Sequence, residues 1–226
     1  MMIDILDIVA TLGIKDVDTK APENNLVGAS PLLDNGLNLM YAPQNYGKSF
    51  TAIAMAVETG LPSVFFDMES NGQMFVNFCK KNNVAYAYIG SADNPMAIMK
   101  KMVSEIKLKY GKALIIIDSY SDLFPDDEGK MGQKAQQELG ALNKLFMREY
   151  EMPVLLLDHA TEQLGGGFKI EGNKSGKYKK TLAVLRLEKI GGDLSNGTFV
   201  TVDRSRNQDV LPNGSTQHYP RGNYLV

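Results

Sequence analysis

Five short apolar runs punctuate the first two thirds of the chain, each bounded by polar or turn residues: Leu37–Ala42, Ser63–Asp67, Val84–Gly90, Ala113–Asp118 and Pro153–Asp158. Within each run the apolar positions are nearly continuous rather than alternating. A strand with one face in water alternates and a strand covered on both faces does not, so the runs predict a parallel sheet sandwiched between helices. The segments between them carry apolar residues at helical spacing: Ala52, Met55 and Ala56; then Met99, Met102, Val103, Ile106 and Tyr110; then Ala135, Leu139, Leu142, Phe146 and Tyr150. Asp93-Asn94-Pro95 offers a cap and a first-turn proline ahead of the Met99 to Tyr110 segment.

Beyond Asp158 the pattern changes. Residues 162–180 are rich in Gly and Lys and predict a loop, and 181–189 (TLAVLRLEK) and 198–204 (TFVTVDR) predict two strands around the turn GGDLSNG. That adds an antiparallel hairpin to one edge of the sheet. The tail from Asn207 to Val226 reads as turns and irregular chain. No repeat with a period of 20 to 50 residues is visible. The expected organisation is a helical N-terminal extension over 1–24, with apolar Ile3, Ile5, Leu6, Ile8, Val9 and Leu12, followed by one α/β domain over 25–226.

Composition narrows the class. The chain has 226 residues, 24 Lys plus Arg against 26 Asp plus Glu, and 44% hydrophobic content, enough to bury a substantial core. One cysteine, Cys79, forms no intramolecular disulfide, and with two histidines it leaves too few soft ligands for a structural zinc site. Asp4 and Asp7 interrupt the apolar start of the chain, which therefore does not read as a secretory signal, and no apolar run approaches the roughly 20 residues of a membrane span. The expectation is a soluble, cytoplasmic protein without a membrane partner. A net charge of -2 argues against a nucleic-acid binder that works through bulk positive charge.

The chemistry begins at Ala42-Pro43-Gln44-Asn45-Tyr46-Gly47-Lys48-Ser49-Phe50, directly after one predicted strand and directly before a helix. This is the spacing of a P-loop, with Ala in place of the usual first Gly. Successive backbone N–H groups wrap phosphates there, while the helix aims the positive end of its dipole at them. Lys48 is placed to reach the β- and γ-phosphates of ATP and Ser49 to ligate Mg²⁺. ALIIIDSYSDLF has the form of a Walker B strand delivering Asp118 to the carboxyl end of the sheet, as a second Mg²⁺ ligand.

The later landmarks resemble RecA-like P-loop ATPases, including ring helicases of the DnaB and RepA type and phage RecA-like recombinases. FFDMES resembles the strand end that carries the family's general base, which implies Glu69 for that role with Asp67 as an alternate. VLLLDHATE resembles the strand whose tip senses the γ-phosphate, which places His159 there. Lys174-Ser175-Gly176 before TLAVLRLEK resembles the segment between the DNA-binding loop and the final hairpin. Arg204-Ser205-Arg206-Asn207 resembles the ring-helicase segment whose two cations reach a neighbouring subunit's nucleotide, implying an arginine finger at Arg206 with Arg204 as companion.

In that family the loop after the sensor strand grips single-stranded DNA. Here it holds Lys169, Lys174, Lys177, Lys179 and Lys180 against Glu162 and Glu171, with Phe168 and Tyr178 available to stack on bases. The resemblance therefore implies an ATP-hydrolysing motor on single-stranded DNA that assembles into a hexameric ring or a filament, a ring-forming helicase or translocase of phage or plasmid replication or recombination. A single-domain recombinase and a nucleotide-switched loading factor are the other readings. In the tail, Pro212 and Tyr219 are candidates to approach a nucleotide base.

Overall fold

The computed structural model describes residues 25–123, 134–162, 168–170, 180–192 and 194–220. A small hairpin, β1 (Leu26–Val27) and β2 (Ser30–Leu33), precedes the P-loop strand β3 (Gly36–Ala42). Then follow α1 (Lys48–Thr59), β4 (Ser63–Asp67), α2 (Gly72–Lys81), β5 (Val84–Tyr88), α3 (Pro95–Tyr110), β6 (Leu114–Asp118) and the short α4 (Tyr120–Leu123). Helix α5 (Lys134–Lys144) runs into a widened π-turn over Leu145–Tyr150. Strands β7 (Pro153–Glu162), β8 (Phe168–Ile170), β9 (Ala183–Lys189), β10 (Thr198–Ser205) and β11 (Thr216–Tyr219) complete the order.

The main sheet has the order β11-β10-β9-β3-β7-β6-β4-β5, with β8 paired to the tip of β7. Strands β9, β3, β7, β6, β4 and β5 are mutually parallel, while β10 runs against both β9 and β11. The five predicted apolar runs are thus the parallel core of an α/β fold. Their near-continuous hydrophobicity feeds two separate cores. Met40, Phe65, Ile116 and Leu155 pack with Ile53 and Met55 of α1 and with Phe75 and Phe78 of α2. Leu37, Leu39, Phe66, Ile115 and Leu156 pack on the other face with Met99 and Val103 of α3 and with Leu139, Leu142 and Phe146. Among the described residues no helix is long and apolar enough to cross a membrane.

The structure differs from the sequence reading at four places, three of them with a physical cause. Helix α2 was not expected, because its buried stripe, Phe75, Phe78 and Cys79, spans little more than one turn. It is fixed by an aromatic cluster in which Phe50 meets Phe75 at 5.5 Å and Phe78 at 5.0 Å between ring centroids. Strand β11 replaces irregular chain in the tail. Its sequence, TQHY, is mostly polar, and it is a strand because the edge of β10 offers unpaired hydrogen-bonding groups. Strand β7 continues four residues past Asp158, since β8 returns alongside it and pairs Ala160, Thr161 and Glu162 with Ile170, Lys169 and Phe168. The predicted Gly and Lys loop therefore begins as a β-ribbon. The expected strand over Val84–Gly90 ends at Tyr88. The N-terminal extension over 1–24 lies outside the described residues.

Candidate functional site

The carboxyl ends of β3, β4, β6 and β7 lie side by side, because their registers align Ala42 with His159 and Asp67 with Asp118. Each strand end contributes one part of a polar cluster. From β3 the chain turns through residues 43–47 into α1. Asn45 (φ +62°) and Gly47 (φ +83°) both adopt left-handed backbone conformations that bend this turn. A side chain at Gly47 would also meet Leu194 Cδ2 at 3.0 Å, so glycine is required there for both space and conformation. Helix α1 opens with no side-chain cap and no acidic residue in its first turn, which leaves its leading N–H groups and the positive end of its dipole for an anion.

Lys48 is buried, and its Nζ donates to the carbonyls of Ala42 and Pro43, each at 3.2 Å. It also stands 3.4 Å from His159 Nδ1. His159 Nε2 in turn lies 2.6 Å from Glu69 Oε1. Glu69 thereby holds the imidazole pKa above its usual range, against the opposing effects of burial and the Lys48 charge. The same hydrogen bond keeps the Glu69 carboxyl below its ordinary value. Lys48, His159 and Glu69 form one continuous chain of polar contacts across three strand ends.

Asp67 is fully buried and serves a different purpose from the one considered for it. Its Oδ1 accepts from the backbone N–H groups of Glu69 (2.8 Å) and Ser70 (2.9 Å), and its Oδ2 from that of Asn71 (2.7 Å) and from the Tyr86 hydroxyl (2.6 Å). With its lone pairs so occupied it is no candidate base. It holds the turn that presents Glu69.

The Ser49 hydroxyl donates to Asp118 Oδ2 at 2.6 Å, and Asn71 Nδ2 donates to the same oxygen at 3.3 Å. Asp118 Oδ1 is buried with no hydrogen-bond partner among the described residues. Burial pushes the Asp118 carboxyl up to about 6. An orphaned carboxylate oxygen beside a serine hydroxyl is an all-oxygen donor set, which suits Mg²⁺. Glu69, Asp122 and His159 also bring ligand atoms within 4.8 Å of one another. There the Glu69 and His159 atoms are already engaged with each other, and Lys48 adds a positive charge alongside.

The remaining candidates fall elsewhere. Phe50 turns its ring into the aromatic cluster, leaving only its backbone for a phosphate. Because β10 is antiparallel to β9, it carries Arg204 and Arg206 away from the phosphate end of the sheet. Arg204 is level with Val184, itself opposite Leu39, and the Arg206 N–H bonds Leu182 O. At about 3.3 Å per residue this sets Arg204 roughly 10 Å and Arg206 still further below Ala42 in the same subunit. Lys169 sits on β8 above the P-loop level, whereas Lys180 precedes β9 and lies against Gly140 of α5, at the other end of the sheet. Their backbones stand at opposite ends of the sheet, and Lys174, Lys177 and Lys179 lie outside the described residues. Phe168 packs on Tyr46 instead of standing free to stack on a base. Tyr219 is buried with its hydroxyl bonded to Glu58, and Pro212 lines a cavity beside Leu26 and Val202, so neither approaches the site.

Sequence reasoning missed a polar network below the P-loop. The Tyr41 hydroxyl donates to Asp203, Arg186 Nε donates to Asp203 Oδ1 at 3.2 Å, and Arg186 Nη1 donates to Glu188 at 3.0 Å. The bulge between Val202 and Arg204 brings Asp203 into this network, and its members are far apart in sequence.

No family model and no curated protein matches the sequence. Among solved structures, the fold is similar to the crystal structure of the RadB recombinase, with a TM-score of 0.57 at 15% sequence identity over 84% of this chain and 88% of that one. At that identity the likeness shows the fold, a RecA-like α/β architecture, and leaves the chemistry to be argued from the residues themselves.

Proposed function

We propose that this chain is an ATP hydrolase that acts on single-stranded DNA as an oligomer, with the nucleotide held at subunit boundaries. One observation carries the reading: Lys48, Ser49, Glu69, Asp118 and His159 converge at four adjacent strand ends, directly above an uncapped helix N-terminus. The backbone of residues 43–49 and Lys48 would hold the triphosphate. Ser49 and Asp118 would hold Mg²⁺, which supplies charge neutralisation on the phosphate oxygens. Glu69 is the general base that orients and deprotonates the attacking water. His159, bonded to both Lys48 and Glu69, is placed to register a γ-phosphate and to set the Glu69 carboxylate.

The arginines support an oligomer. A planar guanidinium stabilises the spread charge of a transferring phosphoryl group, and Arg206 stands at the wrong end of its own sheet to reach its own P-loop. A second copy is the natural recipient. The basic segment after β7 supports a polyanion partner, since Lys169, Lys174, Lys177 and Lys179 follow directly on the strand that carries His159.

Two activities fit such a site. The first is a ring-forming helicase or translocase of phage or plasmid replication. The second is a recombinase that pairs or anneals strands, favoured by the likeness to RadB over most of both chains. Phosphate release from ATP and Mg²⁺, measured with and without a single-stranded oligonucleotide, tests the shared premise. Turnover that rises with DNA supports it, and absence of nucleotide binding would sink it. Particle images with a non-hydrolysable ATP analogue then separate the two activities, as closed rings or as filaments on DNA.

A further inference from the structure

Tyr46, inside the P-loop, is held from two sides by residues to which the proposed reaction gives no role. Its ring meets that of Phe168 edge to face, with centroids 5.3 Å apart and planes at 88°. Lys189 Nζ lies 4.3 Å from the centre of the same tyrosine ring. Phe168 stands on β8 opposite Glu162, on the ribbon whose other strand carries His159. Lys189 ends β9, which flanks β3 on the other side from β7. The β7–β8 ribbon thus reaches the phosphate site twice, through His159 on Lys48 and through Phe168 on Tyr46. The left-handed backbone at Asn45 and Gly47 lies on either side of Tyr46, so the residue whose ring makes these two contacts sits at the bend of the loop itself.

We infer that Phe168 and Lys189 are positioning residues that act through Tyr46, tying the shape of the P-loop to the position of the β7–β8 ribbon. Nucleotide occupancy then moves the ribbon, and a polynucleotide engaged by the basic segment that follows β8 changes turnover at the P-loop. An edge-to-face ring pair and an ammonium over a ring face are both directional contacts, which suits them to transmit position rather than merely to fill space. The inference rests on the proposed reading of the strand ends as an ATP site.

Two measurements test it on the whole chain. In the first, nucleotide affinity and turnover of wild type, Phe168→Ala and Phe168→Tyr are compared with and without an oligo-dT strand. Phe168→Ala is expected to keep DNA affinity while the ratio of kcat with DNA to kcat without it falls about fivefold or more, a typical size for coupling between sites. Phe168→Tyr, which keeps the ring, is expected to retain the rise, and Lys189→Ala to lose part of it. A full rise in Phe168→Ala overturns the inference. The second measurement does not depend on DNA. The chain has no tryptophan, so Phe168→Trp introduces a single reporter. Its emission is expected to shift when a non-hydrolysable ATP analogue binds, with binding measured independently by calorimetry. Bound analogue without a shift overturns the inference. A shift in a protein whose wild-type turnover ignores DNA supports the contact's role and removes the nucleic-acid reading. A wild type that binds no nucleotide removes both.

Discussion

At the scale of single residues the site is a set of compromises between stability and chemistry. Asp118 is buried with one oxygen unpartnered, and its carboxyl is raised to about 6 from an ordinary 3.8. A raised carboxyl contributes its full share to stability below pH 3.8, and that share is lost as pH rises through 6. In metal-free protein Asp118→Asn is therefore expected to be more stable than wild type at pH 8, by no more than about 3 kcal/mol, and to lose that advantage near pH 4. Denaturant unfolding at the two pH values checks this, and equal differences at both would contradict it. Added Mg²⁺ is expected to raise the stability of wild type and to leave Asp118→Asn unchanged.

The His159 and Glu69 pair titrates differently. The raised His159 pKa makes its contribution complete below about 6.5 and lost as pH rises through the higher folded value. The lowered Glu69 pKa makes its contribution complete above about 4.5 and lost as pH falls through the lower folded value. The pair is therefore strongest between those limits. With side chains 23% and 30% exposed it is worth about 1 kcal/mol or less. His159→Gln is expected to lower the unfolding midpoint at pH 6 and to have almost no effect at pH 9, where a loss as large as that at pH 6 would count against the pair.

At the scale of elements, the turn after β4 is the part most dependent on one side chain. Three backbone N–H groups and a tyrosine hydroxyl converge on Asp67. Asp67→Asn replaces one accepting oxygen with a donor facing donors, and is expected to cost about 2 kcal/mol in unfolding free energy. It is also expected to depress turnover through Glu69 while nucleotide affinity persists. A parallel loss of nucleotide affinity would mean that the turn supports the P-loop itself. The parallel strands were legible in the sequence because a strand covered on both faces writes itself as a continuous apolar run. The P-loop was legible because phosphate binding constrains a local spacing. Helix α2, strand β11 and the return of β8 were not, since each is fixed by a partner distant in sequence. The same holds for Tyr41, Arg186 and Asp203, which no local spacing connects. Asp67 was legible as an acidic strand end, but only the hydrogen bonds of the following turn assign it to structure rather than chemistry.

At the scale of the whole molecule, one antiparallel reversal decides how a complete site is assembled. By running against β9, strand β10 delivers Arg204 and Arg206 to the end of the sheet opposite the P-loop. One subunit therefore holds Lys48 and Glu69 at one end and Arg206 at the other. The proposed reaction joins the two ends across a boundary between copies, and that is the central claim. It is tested most directly by mixing two variants, Lys48→Ala and Arg206→Ala, each expected to hydrolyse ATP at under about 1% of the wild-type rate. In mixed assemblies, sites that pair an intact Lys48 with an intact Arg206 from a neighbour are restored. Equal mixing is expected to recover about a quarter of wild-type turnover, the share of boundaries with that pairing in a random closed assembly. A mixture as inactive as its components, or an Arg206→Ala protein that turns over ATP at the wild-type rate, would contradict the account.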